Sequence, residues 1–428
     1  MGGPRQLLVV SYYFRPTPSV GSVRMGGLAK YLPEFGWQVT VVTPRREGRS
    51  PAPDQVVETD DADLSAGLKR FLGVRSDAAI KDVISGSKGP GSAAGVRSRG
   101  VDFLKAVVAV PDTNRGWIRV ATRAGADLMN RQSFDAILTS SPPPSVHVVG
   151  SRLARSSGRP WVADLRDLWS QDHNSTAPGW RRRIDRFIET RAFRSAAALV
   201  TVSEPLADDL QRLHPKTPVS SILNGFDPEE VGTDEPDPER LTLTHTGTFY
   251  QGRRDPTLLF TAVSRLVHDG TIPADRIRLR LFARHELWVE RLAEEHGIGH
   301  IVELVPWGAR REALKAQQRS HILLLLHWGG ERERGVYTGK VFEYLAAHRP
   351  ILMIGGGAGV LHDLLEETSA GIHVNDQESL EKALRGYWRE FQEHRGVRWR
   401  GRDDLVERFS HRRMAGEFAE LLDDVCHD

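Results

Sequence analysis

Short apolar runs of strand length alternate with helical periods along nearly the whole of this 428-residue chain. In the first half the runs are residues 6–13, 38–43, 135–139, 161–164, 198–202 and 219–223, with helical spacing over 26–35, 114–132 and 144–156. In the second half they are 241–246, 278–282, 301–304, 322–326, 351–354 and 371–374. A strand, a helix and another strand close most readily as a right-handed parallel unit. The alternation therefore predicts an α/β chain of parallel, doubly wound sheets with helices on both faces. Residues 224–240, dense in Pro, Asp and Glu, read as a linker between two such domains. The boundaries predicted are 1–228 and 229–404, and residues 405–428 form a last apolar-striped helix.

Composition narrows the function classes. A 39% apolar fraction over this length is ample for two cores. A formal net charge of +2 argues against nucleic acid as the partner, because a dedicated binder carries a strongly basic face. The single cysteine, Cys426, excludes a disulfide framework or a cysteine zinc cluster within one chain. No apolar run approaches the roughly 20 residues that span a bilayer, which predicts a cytoplasmic protein. Two basic stretches stand out. Residues 65–105 hold eight Lys/Arg against three Asp, and 180–194 hold six Arg against two acids, with Trp180, Ile184, Phe187 and Ile188 as an apolar face. Each reads either as a solvated helix face or as a docking surface for anionic lipid at the inner face of the cell membrane.

The chemistry-bearing residues follow the strands. Tyr337, Thr338, Gly339 and Lys340 lie between the 322–326 run and a helical period. A helix start offers unpartnered N–H groups and a positive dipole end, Gly339 permits close approach, and Lys340 adds a charge. Glu343, one turn on, can accept from two neighbouring hydroxyls such as those of a ribose. Phosphate and diol together indicate a nucleoside diphosphate; the plainer reading is a helix cap with a solvated Lys–Glu pair. The GxxxxGK[ST] spacing of a Walker loop is absent. After the first strand, Gly21, Ser22 and Arg24 form another Gly/Ser-bearing helix start. After the 241–246 run come Gly247 and Thr248, then Arg253 and Arg254, a pair able to clamp a diphosphate. The 161–164 run ends in Asp164, Arg166 and Asp167, which read as a salt-bridged strand end or as catalytic groups. His147, His173, His285 and His373 show no metal-ligand spacing, and Asp60-Asp61-Ala62-Asp63 lies in a polar loop.

Taken in order, these motifs resemble the GT-B-fold glycosyltransferases of family 4, which are retaining and nucleotide-sugar-dependent. The resemblance runs over nearly the whole chain. It rests on residues 13–24, 36–43, 164–169, Val202-Ser203, Asn224-Gly225-Phe226-Asp227, 247–254 and 339–345. It implies two Rossmann-like domains facing a cleft, with the acceptor on the first, the donor on the second and the last helix crossing back to the first. Arg254 matches the second of the family's basic pair; the first falls on Thr248, which leaves Arg253 as a substitute. Glu343 matches the ribose glutamate. Its usual companion eight residues earlier falls on Gly335, which leaves Glu331 or Glu333 as carboxylates of that loop. Arg166 stands where many members carry a histidine, and Trp307 is placed to line the base pocket. Gly355-Gly356-Gly357 would seat backbone against the donor or a neighbouring helix.

The activity implied is transfer of a sugar from a nucleoside diphosphate sugar to a hydroxyl, with retention and without a metal or other cofactor. Asp164, Arg166 and Asp167 are the catalytic candidates. Lipid-linked glycans, polysaccharides and small-molecule natural products are the acceptor classes. A nucleotide-sugar epimerase of the same architecture and a non-catalytic nucleotide-sugar-binding protein are the rivals.

Overall fold

The computed structural model describes residues 3–15, 19–46, 55–60, 110–172, 175, 177–283, 286–306, 308–327, 330 and 334–427. The basic stretch 65–105, Asp61, Asp63, His173, His285, Trp307, Glu331 and Glu333 lie outside them. The chain forms two compact units, 1–222 with 416–428, and 223–415.

Unit 1 is a seven-stranded parallel sheet in the order β3-β2-β1-β4-β5-β6-β7. Its strands are β1 (Arg5–Ser11), β2 (Trp37–Pro44), β3 (Val56–Thr59), β4 (Ala136–Ser141), β5 (Trp161–Leu165), β6 (Ala198–Thr201) and β7 (Val219–Ser221). Helices α1 (Val20–Tyr31), α2 (Trp117–Arg131), α3 (Ser145–Ser157), α4 (Gly179–Phe193) and α5 (Glu204–Leu213) connect them. The central strands β4 and β5 are buried along their whole length, as strands covered on both faces must be. The edge strand β3 is only half-buried, so it left no continuous apolar run in the sequence. The first helix begins six residues before the predicted residue 26. Ser19 and Ser22 cap each other's backbone there in a capping box, which local apolar spacing does not reveal. Pro33 then tightens its end into the 3₁₀ turn Leu32–Phe35, closed by Gly36 at φ +84°.

Unit 2 is a six-stranded parallel sheet in the order β10-β9-β8-β11-β12-β13. Its strands are β8 (Leu241–Thr246), β9 (Ile277–Ala283), β10 (Val302–Pro306), β11 (Ile322–Leu326), β12 (Ile351–Ile354) and β13 (Gly371–Val374). Helices α6 (Thr257–His268), α7 (Leu287–Glu295), α8 (Arg310–Gln318), α9 (Gly339–Ala346), α10 (Val360–Thr368) and α11 (Gln377–His394) surround it, followed by the short α12 (Asp403–Val406) and the terminal α13 (His411–His427). The sequence Ile-Leu-Leu-Leu-Leu of β11 is buried throughout, at the middle of the sheet. Phe226, in the stretch read as linker, is part of unit 2. Its N–H donates to Phe409 O at 2.9 Å, and its carbonyl accepts from His411 N–H at 2.7 Å.

Gly416–Asp428 completes unit 1. Asp423 of α13 accepts from Arg5 Nη1 at 2.6 Å and from the buried Trp37 indole at 2.9 Å. No helix among the described residues is long and apolar enough to cross a membrane.

Close packing at β13 sets a test of the second core. A Cβ on Gly371 would lie 2.0 Å from the Ile351 carbonyl oxygen of β12, a backbone atom with no rotamer to adopt. Gly371→Ala is expected to cost unit 2 about 1–3 kcal/mol, read as a lower denaturation midpoint. An unchanged midpoint would show that β13 shifts freely on its neighbour.

Candidate functional site

In unit 2 the chain runs from β8 outward through β9 to β10, then returns to β11 on the other side of β8. This reversal opens a crevice beyond the C-terminal ends of β8 and β11, the place where open α/β sheets bind ligands. His245 and Gly247 stand at the end of β8, and α9 starts in the loop that follows β11.

Lys340, in the first turn of α9, sends its amine to within 3.4 Å of His245 Nε2. His245 is fully buried, and its Nδ1 lies 2.9 Å from Leu324 O. A carbonyl only accepts, so Nδ1 carries the proton and Nε2 offers its lone pair to the amine. Burial and the Lys340 charge push the His245 pKa well below its usual value, so the ring stays neutral. Gly247 makes the arrangement possible. Its φ is +146°, and a Cβ there would lie 2.2 Å from Lys340 Nζ. Burial, then the Arg254 charge, pushes the Lys340 amine down to about 7, while Glu343 acts in the opposite direction.

Among the described residues neither Lys340 nor Arg254 has an ion-pair partner. Arg254 leans over the Tyr250 ring at 5.8 Å. The first turn of α9 holds no acid, Thr338 makes no side-chain cap, and Thr338 Oγ1 is buried without a partner. Two cations, an uncapped helix start and an unpartnered hydroxyl have the chemistry that suits an anion. Arg253 is exposed, and Thr248 and Tyr337 are half-buried nearby in the chain; the Tyr337 ring packs at 5.7 Å from Phe342.

Glu343 is held in place from its far side. Its oxygens accept from Arg310 Nε at 2.9 Å and Gln317 Nε2 at 3.3 Å. Arg310 also pairs with Glu230, and Gln317 also donates to Thr246 Oγ1 at 3.0 Å. A narrow crevice runs beside this carboxylate, lined by Phe226, Asp227, Leu314 and Ala346 among others. Arg310, Gln317 and His245 carried no signal in the sequence, because their partners lie 26–95 residues away. Gly355 and Gly356, at φ +80° and +81°, lie against His327, where a Cβ would meet that residue at 2.8 and 2.2 Å.

Unit 1 has the equivalent reversal between β1 and β4. Asp164, expected to meet substrate, is fully buried there. Its carboxylate accepts from Arg24 Nε at 3.1 Å, Arg24 Nη2 at 2.9 Å and Ser140 Oγ at 2.7 Å. This geometry makes Asp164 a positioning group for Arg24 rather than a group that touches an acceptor. Ser22 is likewise committed, to the α1 capping box. Arg166 differs. Its guanidinium covers Gly21, where a Cβ would lie 2.3 Å from Nη2, and its Nε is buried without a partner. Burial lowers its pKa while Asp164 and Asp167 work against that shift. Asp167 is exposed.

Residues 21–225 match the family described as glycosyl transferase 4-like domain. Among solved structures, the chain is similar to sucrose-phosphate synthase from Thermosynechococcus elongatus, with 13% identity over 98% of this chain and 99% of that one, TM-score 0.63. It is similar to Anabaena HepE in complex with UDP and glucose, with 12% identity over 98% and 100%, TM-score 0.61. WaaG, a glycosyltransferase of lipopolysaccharide biosynthesis, shares 13% identity over 98% of both chains, TM-score 0.52. The chain has the GT-B fold. No curated protein matches it by sequence. The two doubly wound sheets of this GT-B chain are those that its sequence predicts.

The Arg24–Asp164 pair offers a direct check on the role of Asp164. Asp164→Ala removes the carboxylate that accepts from Nε and Nη2 of the buried Arg24 and is expected to cost about 3–5 kcal/mol. The double variant Arg24→Met/Asp164→Leu is expected to recover most of that loss in denaturant unfolding. A stable Asp164→Ala protein that has lost only activity would return Asp164 to the catalytic set.

Proposed function

We propose that this GT-B chain is a retaining glycosyltransferase that moves a sugar from a nucleoside diphosphate to the hydroxyl of a lipid-linked glycan or polysaccharide. The observation that carries this reading is the unneutralised Lys340 amine at the start of α9, one turn before Glu343. The spacing suits a diphosphate on Lys340, Arg254 and the first α9 amides, with the ribose diol on Glu343. The similarity to HepE, solved with UDP, makes UDP the first nucleotide to try. Retention of configuration rests on the family 4 resemblance.

In transfer, the bond between the anomeric carbon and the diphosphate oxygen breaks and a bond to the acceptor oxygen forms. The hydroxyl proton leaves with the diphosphate. Lys340, Arg254 and the α9 amides stabilise the charge that grows on the leaving group. Because these cations supply that stabilisation, we assign a metal-independent reaction, in which EDTA leaves turnover unchanged. We assign Asp167, the exposed carboxylate after β5, the role of orienting the acceptor hydroxyl, and Arg166, over Gly21, that of balancing charge near the leaving phosphate. Gly335 in place of the first family glutamate favours one second reading, a binding protein that holds donor without turning it over.

Thermal shift with UDP, GDP, ADP and dTDP tests the donor site. One nucleotide is expected to raise the melting temperature, and Glu343→Ala to weaken it about ten- to a hundredfold, the loss of a charged hydrogen bond. No response to any of the four would remove the donor reading; binding without turnover of the matching sugar nucleotide would favour the second one.

Lys340 adds a pH signature. Its amine is half-protonated near pH 7 in the free protein, and a bound diphosphate raises that pKa. Above pH 7, where the phosphates are already ionised, binding must therefore take up a proton. Affinity is expected to fall by up to about tenfold per pH unit above pH 7, and Lys340→Met to bind weakly and without that slope. Calorimetry in two buffers of different ionisation enthalpy would read the proton uptake, and a flat profile from pH 7 to 9 would exclude Lys340 as the phosphate contact.

A further inference from the structure

Helix α4 is turned inside out relative to an ordinary surface helix. Its buried stripe is charged: Arg181, Asp185 and Glu189 face the interior with Ala192 and Phe193. Each of these inward charges has a partner. Arg181 donates from Nε to Asp185 at 2.9 Å and from Nη2 to Pro111 O at 2.7 Å. Glu189 accepts from the Ser170 N–H at 2.9 Å and lies 3.4 Å from His214 Nε2. The helix is therefore anchored through its polar side.

The outer side carries what a core face usually carries. At 100° per residue, Trp180, Arg183, Ile184, Phe187, Arg191 and Arg194 share one stripe centred on Phe187. Phe187 is 66% exposed, the most exposed large apolar side chain among the described residues, and Ile184 is 39% exposed. Both acids of the helix are on the buried side, so the outer face holds positive charge alone. Among the described residues, none of Arg182, Arg183, Arg186, Arg191 and Arg194 has an ion-pair partner, and all are exposed.

We propose that this face of α4 docks on an anionic lipid surface. Guanidiniums at the level of the headgroup phosphates, with Phe187 and Ile184 entering the acyl boundary, match such a surface in both charge and polarity. A water-facing helix has no use for this pairing, whereas a neutral protein partner would leave the arginines without counter-charge. The proposal rests on α4 alone and is independent of the donor site, so each can fail without the other.

The test is flotation of the full chain with vesicles of phosphatidylcholine, with and without about 30 mol% phosphatidylglycerol, from about 50 to 500 mM salt. Binding is expected only with phosphatidylglycerol and is expected to fall with salt. Arg183→Ser/Arg191→Ser/Arg194→Ser is expected to weaken it about a hundredfold, and Phe187→Ser about tenfold. Both variants should keep the wild-type melting temperature and nucleotide response, since no proposed donor contact lies on α4. Absence of wild-type binding to phosphatidylglycerol, or binding that neither variant weakens, would overturn the proposal. So would a lipid-free dimer of the wild type that Phe187→Ser dissociates, because the face would then serve a second copy of the chain.

Discussion

Every strand pair in both sheets is parallel, and that one constraint fixes where chemistry can occur. Parallel strands place all their C-terminal ends on one edge, so the loops that leave them gather there. The reversal of strand order, at β1/β4 and at β8/β11, then leaves one gap per sheet where adjacent loops diverge. The polar groups singled out in each unit stand at or beside that gap.

The two gaps are electrostatically opposite in design. In unit 1 the deepest cation, Arg24, is paired through Nε and Nη2 with both oxygens of Asp164, so its charge serves rigidity. In unit 2 the amine of Lys340 has a neutral imidazole for its nearest partner, and Arg254 adds to its discomfort. A protein tolerates an uncompensated cation of this kind only where something else supplies the counter-charge. The carboxylate of Glu343, one turn along, is meanwhile held by Arg310 and Gln317 from behind. It is fixed in direction by groups that a ligand would not have to displace.

Much of this was legible in the chain itself. Continuous apolar runs such as Ile322–Leu326 and the helical periods between them are local signals, and they suffice for two doubly wound sheets. The Thr338-Gly339-Lys340 helix start is local too. What the sequence could not show was pairing at a distance. Asp164 looks the same whether it faces solvent or Arg24, which is 140 positions away. The periodicity of α4 located an apolar stripe and a charged one but not their direction. The Ser170 amide, His214 and the Pro111 carbonyl, all outside the helix, decide that the charged stripe faces inward.

The tether of α13 to unit 1 also has a consequence for synthesis. Arg5 and Trp37 are made long before their shared acceptor, Asp423, which follows them by 418 and 386 positions. Unit 2 lies wholly between them in the chain. At ribosomal speeds of about 5–20 residues per second, unit 1 waits roughly 10–40 s after its sheet is complete before its final helix can dock. During that interval the second unit can fold first, so the domain that begins the chain is the later of the two to be finished.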